Sequence, residues 1–147
     1  MRVTKEVTFD MAHRLSDYEG QCRSIHGHTY KLQATIEGEL TKGMVVDFAV
    51  LKNSLRTIAD AFDHAIVLKR DSVINKQLIA LCKEYDLKCV VVEYQPTAEN
   101  MAQEIFDKLL KDWDVVSVKL WETPTSFAEA TSESRYTSFH HICEEGL

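Results

Sequence analysis

Two runs of alternating residues constrain this chain more than any other feature. Between Arg2 and Asp10 the even positions Arg2, Thr4, Glu6, Thr8 and Asp10 are polar, while Val3, Val7, Phe9 and Met11 fall on odd ones. A period of two is a strand with one buried face, and His13 continues the apolar parity. A second run places His26, His28, Tyr30, Leu32, Ala34 and Ile36 on even positions, with Gly27, Thr29, Lys31, Gln33, Thr35 and Glu37 between them. His26 and His28 therefore share the apolar face. If the two strands are antiparallel neighbours without a bulge, three imidazoles point into one pocket.

The remaining pattern alternates helices with strands. Asp47 is placed to cap a helix in which Phe48, Leu51, Leu55, Ile58 and Phe62 recur at spacings of three and four. Asp63 and His64 end it, and Ala65 to Leu68 is short and apolar. Ser72 can cap a second helix, Lys88 to Tyr94 reads as a strand, and Pro96-Thr97 open a third helix. Val115 to Thr123 is a strand on which Glu122 shares the parity of Val116, Val118 and Leu120, and Phe127 to Ile142 holds one or two more strands with a turn near Thr131 to Ser134. The order β-β-α-(α)-β-α-β-β predicts an α+β fold, a largely antiparallel sheet with helices packed on one face.

Length and charge narrow the function classes. The 147 residues suit a single domain over residues 1–147. A formal net charge of -6 argues against a nucleic-acid binder, and no apolar run approaches the roughly 20 residues of a membrane span. The first ten residues carry Arg2, Lys5, Glu6 and Asp10, unlike a signal peptide, and Cys22, Cys82, Cys89 and Cys143 read as reduced thiols of a cytoplasmic protein.

Three neutral imidazoles match the ligand count of a catalytic zinc site, which keeps a fourth position open. Such a site leaves the ion its full charge as a Lewis acid. The competing reading is three satisfied core histidines, which convergence of all three disfavours. Cys22, four residues before His26, is either a fourth ligand closing a structural site or a thiol acting beside the metal. Asp63 and His64 are either a proton-exchanging pair or a helix end that happens to carry His. Glu122 is either a surface carboxylate or an acceptor for two parallel hydrogen bonds from an amidine-like edge. His140 and His141 read as surface or interface residues.

The stretches Phe9-Asp-Met-Ala-His13-Arg14, Cys22-Arg-Ser-Ile-His26-Gly-His28, Met44-Val-Val-Asp47-Phe48, Phe62-Asp63-His64, Pro96-Thr97-Ala98-Glu99-Asn100 and Trp121-Glu122-Thr123 resemble, in order and across almost the whole chain, the pterin synthase family with the tunnelling fold. The resemblance implies zinc at His13, His26 and His28, Cys22 as the catalytic thiol, Asp63 and His64 as its acid–base partners, and Glu122 as the anchor of the pterin ring. Only Arg23, Ser24 and Ile25 separate Cys22 from His26, the spacing of the branch of this family that makes 6-carboxytetrahydropterin for queuosine.

That branch implies conversion of 7,8-dihydroneopterin triphosphate to 6-carboxy-5,6,7,8-tetrahydropterin, with acetaldehyde and triphosphate released. The competing expectations are an enzyme that stops at 6-pyruvoyltetrahydropterin and a non-catalytic, zinc-stabilised pterin-binding module. A zinc hydrolase would need a general-base carboxylate near the metal, and none lies beside the His-x-His. The resemblance further implies a homohexamer, two stacked trimers whose sheets join into a barrel, with active sites between subunits and Glu122 free to serve a neighbour's zinc. From Ser126 to Leu147 the resemblance assigns no motif.

Overall fold

A computed structural model of the chain describes residues 1–134. His140, His141, Cys143 and any strand beyond Ser134 lie outside the described residues. Strand β1 (Arg2–His13) leads through a 3₁₀ turn (Gln21–Arg23) into β2 (His26–Glu37), then α1 (Phe48–Phe62), β3 (Ala65–Lys69), α2 (Val73–Glu84), β4 (Cys89–Val92), α3 (Ala98–Leu109), β5 (Val115–Thr123) and β6 (Ser126–Thr131).

The two alternating runs form the centre of the sheet. β1 and β2 pair antiparallel in continuous register from Arg2 opposite Glu37 to His13 opposite His26, so the parity on which the three histidines depend is unbroken. β5 adds antiparallel to β2, and β6 to β5. The full order is β4-β3-β1-β2-β5-β6. The expected antiparallel arrangement holds for β1, β2, β5 and β6. At the other edge β3 runs parallel to β1 and to β4, because α1 and α2 are crossover connections of the kind parallel pairing requires.

The helices begin where short polar side chains satisfy free amides. Asp47 accepts from the Ala49 amide at 2.7 Å, Ser72 from the Asn75 amide at 3.1 Å and Thr97 from the Asn100 amide at 3.3 Å. α1 buries Leu51, Leu55, Ala59 and Phe62, and α3 buries Met101, Ala102, Ile105, Phe106 and Leu109. Both pack on the sheet face formed by Phe9, Met11, Tyr30, Leu32, Ala34, Val118 and Leu120. Each side chain fully buried there contributes about 1.5–3 kcal/mol.

α2 lies on the opposite face. On β3, Val67 joins the α1–α3 core, yet its neighbour Leu68, of opposite parity, is also fully buried. The cover is α2, whose Cys82 meets the Cys89 thiol on β4. Burial and this neighbour push the Cys89 thiol up to about 11. Between α2 and the sheet runs a groove of about 740 Å³ bordered by Leu78, Leu81, Ile66, Thr29 and His64. None of the helices among the described residues is long and apolar enough to cross a membrane.

Candidate metal centre and active site

The register brings the predicted histidines together at the ends of β1 and β2. His13 faces His26 across the ladder, and His28 lies beside them opposite Met11. Gly27, between the two histidines of β2, lets the strands close, since a Cβ there would stand 3.0 Å from the Met11 carbonyl oxygen. One ring nitrogen from each of His13, His26 and His28 lies within 4.8 Å of the others.

The hydrogen bonds around the rings decide what this trio can hold. His13 Nδ1 sits 2.7 Å from the Pro96 carbonyl oxygen and His26 Nδ1 2.9 Å from that of Ser24. A carbonyl only accepts, so both Nδ1 atoms carry the proton in the neutral rings and both Nε2 atoms present lone pairs. Those two Nε2 atoms are 3.0 Å apart. The third, His28 Nε2, is buried without a hydrogen-bond partner. Converging lone pairs and an orphaned buried nitrogen fit a shared cation, and imidazoles oriented by carbonyls through their other nitrogen are the usual form of metal-binding histidine. His13 is 1 % exposed. Burial, opposed by the Pro96 carbonyl, lowers its pKa from 6.5 and keeps it neutral as a ligand must be.

Glu122 stands at the edge of the trio, with Oε1 3.6 Å from His28 Nε2 and Oε2 3.9 Å from His13 Nε2. It thus lies within reach of the histidines of its own chain. Beneath it lies Tyr30, fully buried, whose hydroxyl donates to Glu122 Oε2 at 3.4 Å and is 3.5 Å from both nitrogens of His13. Burial and the adjacent carboxylate hold the phenol protonated far above its ordinary range. Tyr30 was legible only as a core residue; its hydroxyl is the site contact that alternation cannot show.

Cys22, on the 3₁₀ turn, is a free thiol outside the ligand trio among the described residues. It is held by its carbonyl, which accepts from the Leu15 amide at 2.9 Å. Cys22, His13 and Glu122 line one cavity of about 290 Å³, together with Thr97, Glu99 and Phe127. Asp63 and His64 are a pair, His64 Nδ1 lying 2.9 Å from Asp63 Oδ2. Asp63 accepts from the Asp10 amide, and this bond and His64 hold its carboxyl below the usual range. His64 borders the α2 groove and not the Cys22 cavity. Its amide is fixed to the Asp10 carbonyl at 2.7 Å, which fastens it to β1 three residues before His13.

Residues 2–133 match the family model described as 6-pyruvoyl tetrahydropterin synthase. The chain is 40% identical over 136 residues to a 6-carboxy-5,6,7,8-tetrahydropterin synthase of Haemophilus influenzae, covering 87% of this chain and 96% of that one. It is 36% identical over 138 residues to a protein of the same name from Rickettsia conorii, covering 88% and 99%. Among solved structures, an uncharacterized protein of Wolinella succinogenes superposes with a TM-score of 0.76 at 26% identity, covering 90% of this chain and 98% of that one. The 6-pyruvoyl tetrahydropterin synthase of Caenorhabditis elegans shares the fold, with a TM-score of 0.66 at 24% identity and coverage of 90% and 95%. Sheet, histidine trio and these likenesses define an enzyme of the pterin synthase type on the tunnelling fold. The chain belongs to the 6-pyruvoyl tetrahydropterin synthase family.

Proposed function

We propose that this chain is a zinc-dependent 6-carboxy-5,6,7,8-tetrahydropterin synthase of the queuosine route, converting 7,8-dihydroneopterin triphosphate with release of acetaldehyde and triphosphate. The observation that carries this reading is one cavity shared by the buried face of His13, the Cys22 thiol and the Glu122 carboxylate. The three-residue spacer from Cys22 to His26 and the names of the relatives that share most of the chain support the carboxy product.

His13, His26 and His28 would hold the zinc, which when bound supplies a Lewis acid to side-chain oxygens. Glu122 accepts two parallel N–H bonds from the pterin edge and is itself steadied by the Tyr30 hydroxyl. Cys22 Sγ takes and returns protons at the side-chain carbons while triphosphate leaves, a water supplies the second carboxyl oxygen and the carbon–carbon bond breaks. Phe127 and Thr97 line the same cavity. Because His64 borders a different cavity from Cys22 in its own chain, the Asp63–His64 pair acts on a neighbouring subunit's thiol in this reading. That placement accords with active sites between the subunits of a cytoplasmic homohexamer.

The test is incubation with 7,8-dihydroneopterin triphosphate, with and without a chelator, followed by mass spectrometry. The reading expects a carboxypterin and acetaldehyde, both abolished by the chelator. A diketo side chain as the end product would make this a 6-pyruvoyl enzyme. Unfolding on metal removal, with no substrate consumed, would make it a zinc-stabilised binding module.

A further inference from the structure

The site leaves unexplained what holds His13, the most buried of the three rings, in its single useful tautomer. Its Nδ1 proton is aimed at one acceptor, the Pro96 carbonyl, and that carbonyl belongs to a short connection between β4 and α3 with no strand partner. The connection is held instead by the residue before it. The Gln95 carbonyl accepts from the Thr97 amide at 2.7 Å and from Asn100 Nδ2 at 3.0 Å. The Gln95 side chain reaches the other way, to the chain that leaves β1. Its Oε1 accepts from the Ser16 amide at 3.1 Å, and its Nε2 donates to Ser16 Oγ at 2.7 Å, Asp17 Oδ2 at 2.9 Å and Asp71 Oδ2 at 3.0 Å.

This amide has only one workable orientation. Turned over, it would set its carbonyl against two carboxylates and its NH2 against a backbone N–H. Further bonds stiffen the same region. Ser16 Oγ donates to Asp71 Oδ2 at 2.6 Å. Arg14, the residue after His13 and 5 % exposed, donates to Asn75 Oδ1 at 2.7 Å, and Asn75 Nδ2 donates to the Lys69 carbonyl at 2.8 Å. The turn from β3 into α2 thus grips the chain directly after His13, and Gln95 joins that grip to the carbonyl His13 faces.

We propose that Gln95 is a positioning residue of the metal centre. By locking the 95–97 connection to Ser16 and Asp71, it keeps the Pro96 carbonyl on His13 Nδ1 and so leaves the Nε2 lone pair free for the ion. A His13 ring carrying its proton on Nε2 cannot ligate through that nitrogen. The proposal rests on the metal-centre reading above, and one arm of its test needs no metal.

In the metal-free chain, long-range ¹H–¹⁵N correlation spectra read the tautomer of each imidazole. Zinc affinity is measured separately by competition with a chelating dye. In the unsubstituted chain His13 shows only the Nδ1–H form. Gln95→Ala loses that single pattern and raises the zinc Kd about 10- to 100-fold, the range for partners that orient ligating histidines. Ser16→Ala, a smaller change, moves both readouts in the same direction by less, and it decides the question should Gln95→Ala fail to fold. Gln103→Ala on α3, where Gln103 bonds Asp107 and Ser134, leaves both unchanged. Wild-type tautomers with an unchanged Kd in Gln95→Ala would overturn the proposal, as would an equal loss of affinity in Gln103→Ala. An unsubstituted chain that binds no zinc contradicts the metal reading, and the tautomer comparison then decides the role of Gln95 alone.

Discussion

His13 Nε2 and His26 Nε2 face each other at 3.0 Å, and neither neutral ring can donate to the other. Each has its one N–H committed to a backbone carbonyl, Pro96 for His13 and Ser24 for His26. Two lone pairs at this distance repel unless a cation lies between them, so the fold holds the pair ready for an ion at some cost to its own stability.

The burial of His13 makes the metal-free chain acid-sensitive. Burial lowers the His13 pKa below 6.5, so as pH falls through that range the unfolded chain takes up a proton before the folded one does. Stability therefore rises with pH in this window and is lost progressively below about 6.5. Urea midpoints of the metal-free chain should fall between about pH 7.5 and about pH 5.5, and excess zinc should raise the midpoints while steepening the dependence, because ligating histidines release their protons.

Cys22→Ala separates thiol chemistry from ligation. Because Cys22 lies outside the histidine trio among the described residues, the variant should keep its zinc and its melting temperature while turnover drops at least about a hundredfold, as for loss of an acid–base group. Metal analysis beside steady-state rates checks it.

Tyr30→Phe removes the hydroxyl that donates to Glu122 at 3.4 Å. A bond this long is worth about 0.5–1.5 kcal/mol. The variant should fold, and its KM for the pterin substrate should rise less than about tenfold at nearly unchanged zinc affinity. Equal losses of zinc and substrate binding would show that Tyr30 acts through the histidines.

Gly27→Ala tests the close approach of β1 and β2. The new Cβ would meet the Met11 carbonyl oxygen at 3.0 Å, a backbone atom that yields only if the strands part. Denaturant unfolding should show a loss of about 1–3 kcal/mol, with weaker zinc binding because His26 and His28 flank the displaced residue.

The sequence exposes the parts of this protein that depend on local periodicity. Alternation in β1 and β2 places three histidines on one face, and Asp47, Ser72 and Thr97 mark the starts of α1, α2 and α3. What it hides is pairing between distant segments. Nothing in Ala65–Lys69 signals a parallel partner in β1, and nothing in α2 shows that it crosses to the other face, since an apolar stripe does not say which surface it covers. The same limit governs His64. Its chemistry is plain beside Asp63, but only the sheet shows that it borders the α2 groove. Arg14 and Gln95 read as ordinary polar residues because their partners, Asn75 in the first turn of α2 and Asp71 in the β3–α2 turn, are distant in sequence.

X-ray absorption of the zinc-loaded chain tests the histidine tripod most directly. The account predicts three imidazole nitrogens and one oxygen donor at about 2.0–2.1 Å, with no sulfur. A zinc–sulfur distance of about 2.3 Å, placing Cys22 on the metal, would contradict it.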